Sequence, residues 1–254
     1  MPTDIEELRR QLVVEAFPRA ATYDATWVMT NQMGPNALWL AESLGEVLPL
    51  EAGSRVLDLG CGRGLTSVFL AREFGVEVWA VDLWVSANDN WQRVQEAGLA
   101  GRVHPIHAEA HTLPFAEGFF DAAVSFDAYQ YFGTDDLYLG YLSRFVKPGG
   151  QIGIVVPALG AEPDVFPPPH LAPYWDWDMC CWHSPSWWRR HWEKTGLVEV
   201  DVADLVPEGW DHWLRWETVV QRAWTGEEEH GGLLRADADQ RLLGFTRLVA
   251  RRAD

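Results

Sequence analysis

At 254 residues and 48% hydrophobic content, the chain is long enough for one α/β domain with a full core and an elaborate cap. Its 37 acidic and 20 basic residues give a formal charge of -17, which disfavours a phosphate backbone as partner, since that binding relies on clustered Lys and Arg. No apolar run approaches the ~20 residues of a membrane helix. The N-terminus Met1-Pro-Thr-Asp-Ile-Glu-Glu lacks signal-peptide character, and the three cysteines make no disulfide framework. The expected compartment is therefore a reducing cytoplasm.

In chain order, residues 1–50 read as helical, with one amphipathic segment from Ile5 to Phe17 and another from Asn36 to Leu48. Between them Thr30-Asn-Gln-Met-Gly-Pro-Asn36 carries a Gly-Pro turn signal. Val56-Leu-Asp-Leu59 reads as the end of a buried parallel strand, followed by Gly60-Cys61-Gly62-Arg63-Gly64 and a helix from Leu65. Glycines at such a turn let the backbone approach a ligand, and the helix N-terminus behind it attracts anionic groups. The spacing is Gly-x-Gly-x-Gly, with Leu65 where a third dinucleotide-fingerprint glycine would fall. Asp58 would repel a pyrophosphate but suits a ligand with an ammonium group. S-adenosylmethionine has that ammonium, a carboxylate for the helix N-terminus, and a ribose and adenine to bind further along.

Val76 to Asp82 is a second β-rich run ending in an acid, about 20 residues beyond the loop, where such folds place a ribose-binding carboxylate. Leu83 follows it. A third strand runs over 103–107 and leads to Glu109-Ala110. Strands near 120–126 and 151–156 follow, with helices near 65–74, 86–98 and 134–145. This alternation predicts a parallel sheet with helices on both faces and ligands beyond the carboxyl ends of the strands.

From Gly53 to Pro157 the chain resembles the class I S-adenosylmethionine-dependent methyltransferases, in particular the small-molecule group that includes cyclopropane-fatty-acid-synthase-like enzymes. Matching residues are Asp58, Gly60, Gly62 and Gly64, then Asp82; Glu109-Ala110 stands where family members contact adenine. The resemblance implies a Rossmann-like, seven-stranded, mostly parallel sheet with an antiparallel last strand. It implies a cofactor site of Asp58, Gly60, Cys61, Gly62, Gly64, Asp82, Leu83, Glu109, Ala110 and Asp127, with S-adenosylhomocysteine as product. In cyclopropane synthases the positions of Gln130 and Tyr131 are Glu and His, which hold a bicarbonate base. Their absence argues against cyclopropanation.

The stretch Ser125-Phe-Asp127-Ala-Tyr129-Gln130-Tyr131-Phe132 follows the fourth strand and is expected beside the reactive methyl. Asp127 suits either a substrate amine or a turn cap, and Tyr129 and Tyr131 either face the acceptor or pack. After Ala158 the composition shifts, with six of the 15 tryptophans between Trp175 and Trp192. Ser184-Pro185 offers an N-cap and first-turn proline for a helix to about Thr195, on which at least two of Trp187, Trp188 and Trp192 should face the sheet. Trp175, Trp177 and Trp182 lie on the segment expected over the pocket mouth, where aromatic faces suit a flat or cationic substrate. His183 is the preferred base among His170, His183 and His191. Cys180, Cys181 and His183 lack structural-zinc spacing, so no metal is expected. Leu197 to Val206 and Leu243 to Arg251 read as the last two strands, an antiparallel pair at the sheet edge.

The chain therefore reads as one domain over 1–254, comprising a helical lid (1–50), a cofactor core (51–157), a Trp/Pro-rich cap and helix (158–196) and C-terminal strands and helix (197–254). The expected function is methyl transfer to a small-molecule N, O or S nucleophile, an amine favoured. The alternatives are an RNA methyltransferase and a non-catalytic cofactor-binding regulator. Neither acceptor identity nor oligomeric state follows from the sequence.

Overall fold

A computed structural model describes residues 5–220 and 230–253. Three helices open the chain: α1 (Ile5–Leu12), α2 (Ala25–Asn31) and α3 (Ala37–Gly45). Strands and helices then alternate as β1 (Arg55–Leu59), α4 (Leu65–Phe74), β2 (Glu77–Asp82), α5 (Ala87–Glu96), β3 (Val103–His107), β4 (Phe120–Phe126), α6 (Tyr138–Leu142) and β5 (Val146–Leu159). The chain continues through α7 (Pro185–Glu193), β6 (Val198–Leu205), α8 (Gly209–Val220), α9 (Gly231–Ala236) and β7 (Leu243–Arg252). No described helix is long and apolar enough to cross a membrane.

The seven strands form one sheet in the order β3-β2-β1-β4-β5-β7-β6. All neighbours up to β5 are parallel, and β7 runs antiparallel to both β5 and β6. Strands buried on both faces read as continuous apolar runs rather than alternating ones, as Val56-Leu57 and Val155-Val156 do. Two buried clusters cover the two faces, one including Val56, Phe69 and Leu159, the other Leu57, Ile154 and Trp188. The strand order reverses between β1 and β4, which opens a crevice at their carboxyl ends where ligands of such sheets bind.

Side-chain caps set the helices that border this crevice. Asp24 accepts from the Trp27 amide at α2, Asn36 from Leu38 at α3, and Ser86 from Asp89 at α5. Ser184 caps α7 with Pro185 in its first turn, and Trp188 and Trp192 are fully buried against the sheet. On α8, Trp213 and Trp216 face inward in the same way.

Three elements differ from the sequence expectation. The first helix ends at Leu12, since the chain turns at Val14–Phe17 to bury Phe17 in a stacked contact with Trp39. Helix α2 fills a stretch read as helical but given no bounded segment. The helix expected over 134–145 shrinks to α6 and a 3-10 turn over Ser143–Phe145, because Asp135 ties its carboxylate to the Leu137 amide and delays the helix start.

Candidate cofactor and substrate site

The loop after β1 turns on three glycines in the left-handed region, Gly60 at φ 77, Gly62 at φ 53 and Gly64 at φ 77, the last forming the N-cap of α4. Space and conformation both require glycine at position 60, where a Cβ would sit 2.4 Å from that of Ala128. Beneath the loop, Asp58 is fully buried and one carboxylate oxygen accepts from the Thr66 and Ser67 hydroxyls, each at 2.6 Å. Its other oxygen, Oδ1, has no hydrogen-bond partner among the described residues. Burial pushes the Asp58 carboxyl up to about 6, against the pull of the two hydroxyls. The Cys61 thiol is pushed well above its usual range, first by burial and then by the charges of Asp58 and Asp82.

Asp82, at the end of β2, organises the next turn. It accepts from the Gly62 amide at 2.8 Å and from the Trp84 and Val85 amides at 2.8 and 2.9 Å. Glu109 is turned onto His111, whose ring nitrogen lies 2.7 Å away; that hydrogen bond holds the Glu109 carboxyl below its usual range. The Ala110 carbonyl accepts from the Tyr138 phenol.

A cavity opens over this floor. Its walls are the loop from Leu59 to Arg63, Asp82 to Trp84, Ala108 to Ala110, Phe126 to Ala128 with Tyr131 and Phe132, and the N-terminal residues Asn31, Met33, Pro35 and Ala37. Three carboxylates line it, Asp82, Glu109 and Asp127, and Arg63 is the one basic side chain of the wall among the described residues. Met33, Leu83, Trp84 and Tyr131 form an exposed apolar rim.

Asp127 adopts a left-handed conformation (φ 51), a state Asp tolerates better than most residues and one that marks functional turns. The N-terminal turn presses on it, since a Cβ at Gly34 (φ +126) would lie 2.5 Å from Asp127 Oδ2. The indole N–H of Trp216 donates to the Gly34 carbonyl at 2.8 Å and so holds that turn in place. Gly34→Ala is expected to destabilise the fold by ~2 kcal/mol through strain and displacement of Asp127, read as a lower urea midpoint.

The expected cofactor residues gather here, except Asp58, which stands under the loop, and Gly64, which caps α4; neither forms the cavity wall. The structure separates the expected substrate residues. In the 3-10 turn Tyr129–Tyr131, Tyr131 faces the cavity, whereas Tyr129 is fully buried against Trp188 and Trp192. Trp182 is buried against Trp213 and His230, Trp175 packs on Phe166 and Trp182, and Trp177 is 83% exposed. None of these three lines the cavity. His183 also lies off it, stacked on Trp187 with ring centroids 3.7 Å apart and hydrogen-bonded to Glu162. The cap spends its aromatic surface on its own core.

Several wall residues escaped sequence reasoning. Arg63, Pro35 and Trp84 are among them, whereas Phe126 and Phe132 lie in the stretch expected beside the reactive methyl. Trp84 carried a local signal, as a large aromatic two positions beyond Asp82.

Residues 56–150 match the model of the methyltransferase domain family. Over that stretch the chain is similar to the class I S-adenosylmethionine-dependent methyltransferases. The chain is 34% identical over 118 residues to a methyltransferase of Streptomyces halstedii, covering 45% of this chain and 42% of that protein. It is also 34% identical over 159 residues to the malonyl-[acyl-carrier protein] O-methyltransferase of Pseudescherichia vulneris, covering 62% and 58%. The chain thus spans about half the length of the curated relatives it matches. The fold is shared with a Geobacter sulfurreducens methyltransferase solved with S-adenosylhomocysteine, at TM-score 0.62, 24% identity and 84% and 90% coverage.

Proposed function

We propose that the chain binds S-adenosylmethionine in this cavity and transfers its methyl group to a small-molecule nucleophile. The carrying observation is continuity: the glycine loop, Asp82 and Glu109 share one chamber with Asp127, Tyr131 and the N-terminal turn. Donor and acceptor therefore meet without crossing a wall.

The residues fit the cofactor. The unpaired Asp58 Oδ1 is a buried charged acceptor that an ammonium group satisfies, directly or through water. A wall with three carboxylates and one guanidinium suits a ligand of net positive charge. Asp82 is assigned to the ribose, and Glu109 with Ala110 to the adenine end. Leu83 and Trp84 offer apolar surface beside them.

The cofactor supplies an already activated methyl group on a sulfonium, so alignment and exclusion of water carry much of the acceleration. The chain's residues supply that alignment. Met33, Pro35, Phe126 and Phe132 exclude water, and Asp127 accepts a hydrogen bond from the N–H or O–H of the acceptor. Partial desolvation of the half-exposed ring, then the Asp127 charge, raises the Tyr131 pKa, so its phenol stays protonated and donates. An amine is the favoured acceptor, because Asp127 and the Tyr131 ring together suit a cation. It must shed its proton to present a lone pair, and Asp127 is the group placed to take it.

Turnover on a panel of amines, phenols and thiols tests the reading. Asp127→Asn and Tyr131→Phe are each expected to slow turnover about tenfold or more while S-adenosylhomocysteine affinity stays within a few-fold. Trp175→Ala is expected to leave rate and affinity unchanged. Undiminished turnover in both cavity variants would place the acceptor elsewhere.

A further inference from the structure

The N-terminal wall of the cavity is joined to the glycine loop by a chain of hydrogen bonds that runs through α5. Gly62 is held at both ends of its residue, its N–H by Asp82 and its carbonyl by the Asn90 side-chain amide at 2.9 Å. Asn90 is buried, at 2% exposure, and its oxygen accepts from Arg93 Nη1 at 3.0 Å. Arg93 Nε donates in turn to Asn31 Oδ1 at 2.9 Å, and the Asn31 amide caps back to the Trp27 carbonyl inside α2. Arg63, next to Gly62, donates to the Thr30 carbonyl. Met33 completes the contact, since a Cβ at Gly62 would lie 3.1 Å from its sulfur.

We propose that Arg93 is a positioning residue that couples the cofactor loop to residues 25–33, so that filling the cofactor half of the cavity fixes the wall of the acceptor half. This rests on the cofactor reading above. Arg93 is absent from the cavity wall, so it acts only through Asn90 and Asn31. Its planar fork suits the task, offering Nε to one partner and Nη1 to the other in a fixed geometry that a lysine ammonium lacks. A loop held by a ligand on one side holds Asn90, Arg93 and Asn31 in register on the other. The reverse also holds, because coupling between two sites is reciprocal. The far end of the wall is pinned differently: Gly34 hangs on Trp216 of α8, and among the described residues no hydrogen bond joins Trp216 to the loop. Coupling should therefore stop near Gly34.

Hydrogen exchange of the full chain, with and without S-adenosylhomocysteine, reads this directly. In the wild type the ligand is expected to slow exchange several-fold in amides of 25–33, and to leave the Trp216-anchored stretch 34–37 little changed. Arg93→Met keeps the aliphatic stem and is expected to remove most of the slowing at 25–33, the Arg63–Thr30 link remaining, while ligand affinity stays within a few-fold. Asn31→Ala is expected to lose the same share of the slowing, with the double variant no worse than either single one. Asn31→Asp keeps the oxygen that Arg93 uses and should retain the effect, which a merely structural role for Asn31 would not require. Ligand-induced slowing that survives undiminished in Arg93→Met, or additive losses in the double variant, would overturn the coupling. Wild-type protein that binds the ligand with no change at 25–33 would overturn it alone. Wild-type protein that binds no ligand would overturn the cofactor reading as well.

Discussion

Asp58→Asn is expected to leave the free protein at least as stable at neutral pH and to weaken S-adenosylmethionine binding by about tenfold or more, the cost of one charge-assisted hydrogen bond of ~1.5–3 kcal/mol. Asparagine keeps an oxygen for the Thr66 and Ser67 hydroxyls and removes only the buried charge. Burial holds the Asp58 carboxyl at about 6, above its value in the unfolded chain. A group raised in this way stabilises the fold below its unfolded pKa and loses that contribution as pH rises through the folded value. For the free protein the loss amounts to ~3 kcal/mol between about pH 4 and pH 6. Urea midpoints measured across that window should show the decline in the wild type and not in the variant. Ligand affinity should run the other way, falling in the wild type as pH drops below about 6 and staying flat in the variant. Equal pH dependence in both proteins would remove Asp58 from its assigned place.

Asp82→Ala is expected to cost more. Three backbone amides lose a charged acceptor at once, and each such bond contributes ~1.5–3 kcal/mol. Coupled losses do not add fully, so a fall of ~3–4 kcal/mol in unfolding free energy is the expected result. A carboxylate offers about four acceptor sites, and three are taken here, which leaves one for a ribose hydroxyl. Asp82→Asn separates the roles, since its single oxygen cannot serve both the Gly62 side and the Trp84–Val85 side. Calorimetry should find S-adenosylhomocysteine binding roughly a hundredfold weaker in the alanine variant and intermediate in the amide. A stable Asp82→Ala protein with native affinity would show that the loop organises itself.

The cofactor half of the site was legible because its signals are local. Gly60, Gly62 and Gly64 encode a turn that only left-handed residues make, and Asp82 closes a β-rich run at a fixed distance beyond them. The sheet was legible for the same reason, as period and punctuation fix strands one at a time. The acceptor half is built from long-range contacts. Nothing near Gly34 says that it will meet Asp127, and the contact depends on Trp216, 182 residues further on. Tyr129 and Tyr131 share composition and neighbourhood, yet one turn of 3-10 geometry sends the first into the core and the second into the cavity. The cap tryptophans misled for a related reason. An aromatic residue placed over a pocket and one that packs the cap itself carry the same letter, and Trp182 found Trp213 and His230 first.

Titration calorimetry of the full chain with S-adenosylhomocysteine, run beside a nicotinamide dinucleotide, tests the central claim most directly. The predicted result is one saturable site with a micromolar or lower dissociation constant for S-adenosylhomocysteine and no heat from the dinucleotide. Binding of the dinucleotide without binding of S-adenosylhomocysteine would contradict it.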